Sequence, residues 1–336
     1  MNKARPVTSS VTSLDVARMA GVSRSAVSRV FTPGASVSKK TREKVEKAAS
    51  ELGYRVNLVA RGLNKQRTDL VGMIATRMDN PYRSAQIDAL AKQLVRQGLR
   101  PMLFCIDEGK DAEQLLSILL NYQVSGVVIT SDAPPAKICA ECVRMQVPLV
   151  LVDRADELPF VDRISSNNKK GGRLAAEALI KAGRRRLLVL QPETMVYSMR
   201  ERTAAFVARA AEDKLTVEFM TVGTHEYYSG NDAAVDIAQR REQGLGIFCP
   251  TDIIALGLLD ALRNEHGVNV PEDMSIIGYD DIPQAAWKFA HLTTIKQPVD
   301  EFARVTVELL QERIANPEAP PQHKSVDVMI IKRGTV

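Results

Sequence analysis

The chain has 336 residues, of which 45% are hydrophobic and 25% charged, with 45 Lys and Arg against 40 Asp and Glu. This length exceeds what one hydrophobic core usually supports, and the composition excludes a disordered or collagen-like chain. The longest apolar runs, such as Val147–Val152, have the length of a strand and are too short to span a membrane.

The N-terminus, the cysteines and the histidines indicate the cellular compartment of the protein and whether it binds a metal or a cofactor. Residues Met1–Ser10 lack the apolar block of a secretory signal, so we expect a cytoplasmic protein. Cys139 and Cys142 form a C-x-x-C pair without a second pair, which predicts reduced thiols rather than a zinc or redox site. The four histidines show no metal-ligand spacing, and we expect neither a metal nor a cofactor.

The charge is distributed unevenly along the chain. Residues 1–68 contain 14 basic and 4 acidic side chains, a net charge of +10, whereas the remainder carries −5. A small basic segment on an acidic body predicts contact with a polyanion at one end, although a solvated basic face remains the alternative.

The basic segment contains signals for two short helices. Thr12 and Asp15 have the spacing of a capping box, and the helix that follows, with apolar Leu14, ends at Gly21. Ser23 is placed to cap a second helix over Arg24–Phe31.

A third helix is predicted after the Pro33-Gly34 break, with Ser38 as its cap and Gly53 at its end. Two short helices joined by a glycine turn and braced by a third form a helix-turn-helix, which reads DNA with its second helix. A packing module without DNA contacts would show the same pattern.

The motifs of this segment carry a specific resemblance. The stretch T-S-L-D-V-A-R-M-A-G-V-S-R-S-A-V-S-R-V, followed by V-S-K-K-T-R-E-K-V and E-L-G-Y-R-V-N, strongly resembles the DNA-binding head of the lac repressor family. The match is ungapped from Thr12 to Leu63. It implies a head over residues 1–56, with Arg24 and Ser25 at the variable base-reading positions and Arg29 as a third contact.

The resemblance also implies a hinge helix and linker over residues 57–68. Leu63 matches the leucine that enters the minor groove, and Val56 stands where the family usually has proline. The full set of DNA-facing residues implied is Thr12, Ser23, Arg24, Ser25, Ser28, Arg29, Asn57, Ala60 and Leu63.

From residue 69 onward, apolar strand-like runs alternate with helical segments, which predicts βαβ units and parallel sheets. The predicted strands are Leu70–Ala75, Met102–Ile106, Gly126–Thr130, Pro148–Val152, Leu187–Leu190, Val217–Val222, Gly246–Cys249 and Ser275–Gly278. A strand-like run over Val326–Ile331 closes the chain. The length of this body suggests two α/β lobes with a ligand between them.

The body lacks the motifs of common α/β enzymes. No G-x-G-x-x-G follows a strand, and neither G-x-x-x-x-G-K-[ST] nor G-x-S-x-G occurs. We therefore expect a binding protein and not an enzyme.

Several motifs extend the lac repressor resemblance through the body, which in that family looks like a periplasmic sugar-binding protein. They are D-N-P-Y at 79–82, L-V-D-R at 151–154, R-E-R-T-A-A-F at 200–206, T-D-I-I-A-L-G at 251–257, G-Y-D-D-I-P at 278–283 and L-T-T-I-K-Q-P at 292–298. The resemblance implies two doubly wound parallel-sheet lobes over 69–336. One comprises about 69–161 plus 297–323, and the other about 162–294 plus 324–336.

The resemblance also implies an effector cleft between the lobes. Its residues would be Tyr82, Asp153, Ser198, Arg202, His225, Thr251, Asp280 and Gln297. Arginine offers a planar fork of donors, and the carboxylates accept hydrogen bonds from vicinal hydroxyls. A structural ion pair between Arg202 and Asp280 is the alternative for these two residues.

Two departures from the family affect the expected ligand. Thr251 stands where asparagine is most common, and His225 where many relatives have a large aromatic residue. A small polyhydroxylated effector, a sugar or sugar acid, is the first expectation, and a nucleobase is the second.

These features predict a homodimeric transcriptional regulator, most simply a repressor, whose operator affinity is switched by a small effector. A sugar receptor without regulatory DNA binding is the alternative class. The basic segment and the missing export signal argue against it.

Overall fold

The computed structural model describes residues 11–32, 34–55, 68–106, 112–130, 136–154, 160–241 and 244–336. The chain divides into two compact units, Met1–Thr68 and Asp69–Val336, here called the head and the body. No helix in these ranges is both long and apolar enough to cross a bilayer.

The described part of the head consists of three helices that follow the predicted caps. They are α1 (Ser13–Ala20), α2 (Arg24–Val30) and α3 (Lys39–Leu52). Gly21 and Gly53 end α1 and α3 with φ of 64° and 68°, a left-handed conformation that glycine adopts without steric cost.

The core of the head is small and is formed from all three helices. Val16, Val27 and Val45 are buried in it, one from each helix, and the rings of Phe31 and Tyr54 lie 5.8 Å apart beside it. Leu14, expected among the apolar residues of α1, is 47% exposed instead. Leu14 precedes Asp15 in the sequence, and Asp15 forms the capping box of α1 together with Thr12.

The body contains two six-stranded sheets within its described residues. The strands are β1 (Leu70–Ala75), β2 (Arg100–Cys105), β3 (Gly126–Ile129), β4 (Leu149–Val152), β5 (Val161–Ser166), β6 (Arg186–Pro192), β7 (Val217–Val222), β8 (Leu245–Phe248), β9 (Ser275–Asp280), β10 (Thr293–Lys296), β11 (His323–Val326) and β12 (Met329–Ile331).

The helices of the body connect these strands in βαβ fashion. They are α4 (Pro81–Arg96), α5 (Ala112–Asn121), α6 (Ala136–Arg144), α7 (Asn168–Lys181), α8 (Tyr197–Glu212), α9 (Tyr227–Ala238), α10 (Asp252–Asn264) and α11 (Val299–Ala315), with a 3₁₀ turn at Pro283–Ala286.

Each sheet forms one lobe. The first has the order β11-β5-β4-β3-β1-β2 and is parallel throughout. The second has the order β12-β10-β9-β8-β6-β7 and is parallel except for β12, which pairs antiparallel with β10 at the edge. Both lobes are therefore doubly wound.

The chain passes from one lobe to the other after β5, after β10 and after β11. The lobe boundaries lie a few residues after the approximate positions predicted near 161 and 323, because β5 and β11 pair with each other in the first sheet. The first lobe extends to Ser166 and, in its second part, to Val326.

Burial on both faces explains the continuous apolar runs of the body. In β4, Leu149 and Leu151 face one apolar cluster, whereas Val150 and Val152 face another on the opposite side of the sheet. Successive side chains of a strand point to opposite faces, so a strand covered on both sides is apolar at every position.

One buried ion pair fixes the first lobe at the end of α11. Arg313 binds Asp162 of β5 through two hydrogen bonds, Nε–H to Oδ2 at 2.9 Å and Nη2–H to Oδ1 at 2.7 Å. Asp162 Oδ1 also accepts the Gln322 N–H at 2.8 Å. This bidentate pair ties β5 to the segment that enters β11.

The C-x-x-C pair lies in α6. Cys139 and Cys142 are buried and form no disulfide within the described residues, and burial raises the pKa of Cys142 to about 12. Because the thiolate is the reactive and metal-binding form of cysteine, the raised pKa disfavours reactivity at Cys142.

Candidate functional site

The exposed face of α2 carries the residues predicted to read DNA. Val27 and Val30 are buried, whereas Arg24, Ser25, Ser28 and Arg29 are exposed. The helical spacing of the two valines turns the four polar side chains to solvent. The structure thus presents a short polar and basic face on the second helix of a helix-turn-helix.

Thr12 and Ser23 serve as caps in addition to their predicted contacts. The Thr12 N–H donates to Asp15 Oδ2 at 2.9 Å, and Thr12 Oγ1 accepts from the Asp15 N–H at 3.4 Å. Ser23 Oγ accepts the Ala26 N–H at 3.2 Å. Both hydroxyls therefore fix the start of a helix.

A hydrogen bond between helices holds one end of the predicted base-reading arginine. Arg24 Nε–H donates to Ser13 Oγ, in the first turn of α1, at 3.2 Å. This bond does not use the two Nη groups of Arg24, which are donors that can fork onto a guanine edge.

The remaining predicted DNA contacts, Asn57, Ala60 and Leu63, lie outside the described residues, as does Val56. The predicted hinge helix therefore stays a prediction.

The body contains a cavity at the carboxyl ends of its strands. Seven of the eight predicted effector residues line it: Tyr82, Asp153, Ser198, Arg202, His225, Thr251 and Asp280. Arg77, Asn80, Arg83, Val196 and Met199 complete the lining. The enclosed space is about 40 Å³, within a recess of about 460 Å³ that opens to solvent.

Arg202, in the second turn of α8, is the most deeply placed cation of the cavity and is 3% exposed. Its Nε–H donates to Asn168 Oδ1 at 2.9 Å, and its Nη1–H to the Pro250 carbonyl at 3.0 Å. Nη1 lies 3.6 Å from Asp280 Oδ1, and the guanidinium carbon lies 3.7 Å from the Tyr279 ring centroid.

The charge on Arg202 is retained despite its burial. Burial acts to lower the pKa of its guanidinium, but neighbouring Tyr279 and Asp280 raise it, and the pKa lies above the ordinary value of arginine. Arg202 therefore does form an ion pair with Asp280, which was the predicted alternative role of these two residues. It does not remove Arg202 from the cavity lining.

Close packing of glycines brings α7 against α8 and β9 at this point. A Cβ on Gly172 would lie 2.0 Å from the Arg202 carbonyl oxygen, and one on Gly171 would lie 2.3 Å from Tyr279 Oη. Asn168, in the same turn of α7, supplies the acceptor for Arg202. The glycines therefore allow the approach that orients Arg202.

Asp280 ends β9 and is held by Gln297. Gln297 Nε2–H donates to Asp280 Oδ1 at 2.7 Å, and Gln297 Oε1 accepts from Ser166 Oγ at 2.5 Å. Gln297 does not line the cavity and instead connects Asp280 to the first lobe. Burial raises the pKa of Asp280 to about 6, while Arg202 and Gln297 act in the opposite direction.

Asp153 follows β4 in a left-handed conformation with φ of 53°. Its Oδ1 accepts the Ser166 N–H at 3.1 Å. Ser166 thus links the two carboxylates of the cavity, through its N–H to Asp153 and through Gln297 to Asp280.

Tyr82 begins α4 in the first lobe, yet it packs within an apolar cluster of the second lobe. The N–H groups of Tyr82 and Arg83 are capped by Asn80 Oδ1 at 2.9 and 3.3 Å. Burial raises the pKa of Tyr82 well above its ordinary value, so its hydroxyl stays neutral and able to donate.

Thr251, Ser198 and His225 present hydroxyl and imidazole groups. Thr251 Oγ1 is buried without a hydrogen-bond partner among the described residues. His225 Nε2 lies 2.6 Å from the Thr194 carbonyl, which can only accept, so this ring nitrogen carries the proton. Ser198 lies in the first turn of α8.

Arg77 and Arg83 also line the cavity, although no sequence motif predicted them. Arg77 Nη2–H donates across the cleft to the His225 carbonyl at 3.1 Å, and Arg83 Nη1–H donates to the Thr130 carbonyl at 2.8 Å. Both flank the D-N-P-Y motif, which follows the carboxyl end of β1. That position could have predicted them, because ligand sites of α/β proteins lie at the carboxyl ends of strands.

Asp252 is a third residue that was not predicted, and it supports the cavity from behind. It is fully buried and accepts the Ile282 N–H at 3.0 Å and Thr294 Oγ1–H at 2.6 Å. Burial, and then the charge of Asp280, raise its pKa. Across the described residues, no group of three or more His, Cys, Asp or Glu side chains could hold a metal ion.

Comparison with known proteins identifies both units. Residues 12–57 match bacterial regulatory proteins of the lacI family, and residues 176–336 match a periplasmic binding protein-like domain. The HTH-type transcriptional repressor PurR of Vibrio atlanticus is 32% identical over 96% of this chain and 97% of its own. PurR of Haemophilus influenzae is 32% identical over 95% and 97%.

Solved structures agree with this relationship. A lac repressor dimer bound to operator and the anti-inducer ONPF has a TM-score of 0.85 and 28% identity, covering 97% of this chain and 99% of that one. The regulator CelR in complex with cellobiose has a TM-score of 0.70 and 27% identity, covering 97% and 100%. These relatives are regulators and not enzymes, as the missing motifs predicted. The chain belongs to the lacI family of bacterial regulatory proteins and is a DNA-binding transcriptional repressor.

Proposed function

We propose that this repressor acts as a homodimer on a specific operator and that a small effector, bound in the cavity between the lobes, switches its operator affinity. The observation that carries the proposal is the convergence of Arg202, Asp280, Asp153 and Thr251 on one cavity. Ligand sites of α/β proteins lie at the carboxyl ends of the strands, where this cavity is.

A nucleobase is the first candidate effector. Relatives that are 32% identical over nearly the whole chain carry the name PurR, which favours this class over a sugar. Arg202 supplies donors and Asp280 an acceptor, the two kinds of group that ring carbonyls and ring N–H groups require. Tyr82 and His225 supply flat rings at the same cavity.

A sugar or sugar acid is the second candidate. The CelR structure contains cellobiose and aligns with 97% of this chain. The hydroxyls of Thr251 and Ser198 and the carboxylates of Asp153 and Asp280 are suited to bind vicinal hydroxyl groups.

For the DNA-binding function, we assign base reading to Arg24 and Ser25, with Arg29 as a further contact of α2. Asn57, Ala60 and Leu63 would form the hinge and enter the minor groove. Support comes from the exposure of the α2 residues and from the family relationship of residues 12–57.

Dimerisation is supported by the apolar surface of the second lobe. Trp287 and Phe289 are 50% and 61% exposed, and their ring centroids lie 5.7 Å apart. Exposed aromatic pairs are typical of interfaces. A repressor of chromosomal genes would act in the cytoplasm.

Operator selection followed by titration tests the proposal. A pool of random duplexes should yield a symmetric site, and the logarithm of affinity should fall with the logarithm of salt by roughly 0.9 for each phosphate neutralised. Adding hypoxanthine, adenine, ribose or gluconate should change the affinity of the selected site. A flat salt response would contradict DNA binding, and insensitivity to every compound would contradict effector control.

A further inference from the structure

Two of the three passages of the chain between the lobes are joined by a buried hydrogen bond. Ser166 ends β5, where the chain leaves the first lobe, and Gln297 follows β10, where the chain returns to it. Ser166 Oγ–H donates to Gln297 Oε1 at 2.5 Å, and the two residues are 3% and 2% exposed. Neither residue is part of the cavity lining.

Each of these two residues also holds one carboxylate of the cavity. The Ser166 N–H donates to Asp153 Oδ1 at 3.1 Å, and Gln297 Nε2–H donates to Asp280 Oδ1 at 2.7 Å. Asp153 follows β4 of the first lobe, whereas Asp280 ends β9 of the second. The hydrogen bonds therefore form one continuous path between the acidic groups that the two lobes contribute to the cavity.

The chemistry of the groups determines the direction of the bonds in this path. An ionised carboxylate only accepts hydrogen bonds, so the Gln297 atom beside Asp280 is the amide nitrogen. The amide oxygen then lies toward Ser166, whose hydroxyl must donate. Without this hydroxyl, the buried amide oxygen would lose its donor, and Ser166 would no longer fix the orientation of the amide.

The hydrogen bond from Gln297 favours the charged form of Asp280. Burial raises the pKa of Asp280 to about 6, while Arg202 and Gln297 act in the opposite direction. The titratable groups that interact electrostatically with Asp280 are Tyr82 and Arg83 of α4, Asp153 after β4, Arg202 of α8, Asp252 of α10 and Tyr279 of β9. A carboxylate accepts hydrogen bonds from a ligand best when it is ionised, so the orientation of Gln297 bears on ligand binding.

We propose that Ser166 is a positioning residue for effector binding, which acts from outside the cavity through the amide of Gln297 on Asp280. Its hydroxyl does not touch the ligand. The proposal rests on the proposed effector function of the cavity, and it adds the residue that holds the carboxylates of the two lobes in a fixed relative position.

Ser166→Ala tests the hydroxyl alone, because the N–H that binds Asp153 is retained. Calorimetry on the full chain compares the parent and the variant with hypoxanthine, adenine, ribose and gluconate. For each compound that the parent binds, we expect the variant to bind about tenfold more weakly at neutral pH, since a hydrogen bond to a charged group is lost. Ser166→Thr keeps the hydroxyl and should recover the affinity.

The pH dependence of unfolding tests the same link without a ligand. Loss of the hydrogen bond from Gln297 should raise the pKa of Asp280, and a carboxyl whose pKa is raised in the folded state stabilises the fold less as the pH increases. Chemical denaturation should therefore show that Ser166→Ala is more destabilised at about pH 8 than at about pH 5. The ratio of its unfolding constant to that of the parent should rise by about tenfold between these pH values.

Two further variants separate positioning from the simple loss of a buried hydrogen bond. Thr306→Val removes a buried hydroxyl that donates at 2.7 Å to the Phe302 carbonyl, a group that does not titrate. It should lower stability equally at both pH values and leave effector affinity unchanged. Gln297→Met should reproduce the pH dependence of Ser166→Ala, and in that background Ser166→Ala should add nothing to it.

The outcomes separate this proposal from the proposed function. A loss of stability in Ser166→Ala that is equal at both pH values, or an effector affinity equal to that of the parent, would overturn the proposal and leave Ser166 with a structural role only. Failure of the proposed function is seen in the parent protein, as an operator affinity that none of the four compounds changes. In that case the pH comparison still decides whether Ser166 positions Asp280.

Discussion

The DNA-facing surface of the head and the cavity of the body are built in different ways. In the head, the residues assigned to DNA recognition are exposed and lie close together in the sequence, on one helix. They are Arg24, Ser25, Ser28 and Arg29. In the body, the cavity residues come from positions between 77 and 280, and Asp153, Arg202 and Asp280 are buried.

In the head, the residues assigned to DNA recognition contribute little to stability. In the body, the residues assigned to ligand recognition also stabilise the fold. Removing an exposed side chain changes the free energy of unfolding little. Removing a buried ion leaves its partners buried without a counter-charge or a hydrogen bond, which is strongly destabilising. Arg24 and Arg202 are both arginines assigned to recognition, but only Arg202 also holds together Asn168, Pro250 and Asp280.

The largest effect is expected for Arg202→Ala. Removing this guanidinium leaves the buried Asp280 without its neighbouring cation and the Asn168 oxygen without its donor, so we expect a loss of about 3–5 kcal/mol in the free energy of unfolding of the body. The operator response to effector should be lost as well. Chemical denaturation measures the first effect, and operator titration the second.

The matched control is Arg200→Ala, two positions earlier on α8 and exposed. It should change the free energy of unfolding by no more than about 0.5 kcal/mol. If Arg202→Ala were as stable as Arg200→Ala, the hydrogen bonds of Arg202 would not couple the cavity to folding.

A smaller loss is expected for Gly172→Ala. The added Cβ would lie 2.0 Å from the Arg202 carbonyl oxygen, and this contact with backbone can be relieved only by moving α7 away from α8. We expect a loss of about 1–3 kcal/mol in stability and weaker effector binding, because Asn168 moves with α7.

Lys169→Ala is the control for this substitution, since Lys169 is exposed on the same turn and its ion pair with Glu201 spans 3.8 Å. Its stability should stay within about 1 kcal/mol of the parent protein. A Gly172→Ala protein that unfolds and binds effector like the parent would show that the two helices separate without cost.

The same comparison explains what the sequence predicted. Caps and helix ends of the head depend on residues within four positions of one another, so Thr12, Ser23, Ser38 and Gly53 were placed correctly. Strands β1 and β7 were predicted with their observed bounds. For β1 the signal is an apolar run that is buried at every position after the first, which is a local pattern.

Strand β5 escaped prediction for a physical reason. Its sequence V-D-R-I-S-S contains Asp162, which is 1% exposed only because Arg313, 151 residues later, neutralises it. No local pattern signals such a pair. The boundary between the lobes was therefore placed five residues early, at 161 instead of 166.

Arg77 and Arg83 were not predicted to line the cavity, and the reason is related. They became part of the cavity only when the fold brought β1 and α4 opposite α8, and the quoted D-N-P-Y motif lies between them. Seven of the eight residues assigned through the family motifs line the cavity, whereas Arg77 and Arg83 line it without having been assigned.

In the head, Arg24→Ala should alter specificity without altering stability. Arginine can fork onto guanine O6 and N7, so we expect a loss of about 1–3 kcal/mol for the preferred base at one symmetric position of each half-site. Titration of single-base operator variants measures this loss, and denaturation should show an unchanged free energy of unfolding. Equal weakening of all sequences, including random DNA, would identify Arg24 as a phosphate contact.

The smallest effect is expected for Ser13→Ala. Ser13 accepts the Nε–H of Arg24 at 3.2 Å, in a solvent-exposed position, so the bond contributes little to folding but restricts the guanidinium to one orientation. We expect discrimination at the base pair read by Arg24 to fall about two- to fivefold, with the salt dependence of binding unchanged because no cation is lost. Ser13→Thr keeps a hydroxyl and should restore discrimination. In the Arg24→Ala background, Ser13→Ala should have no further effect, because the group that it positions is absent. An additive loss in the double variant would mean that Ser13 contacts DNA itself.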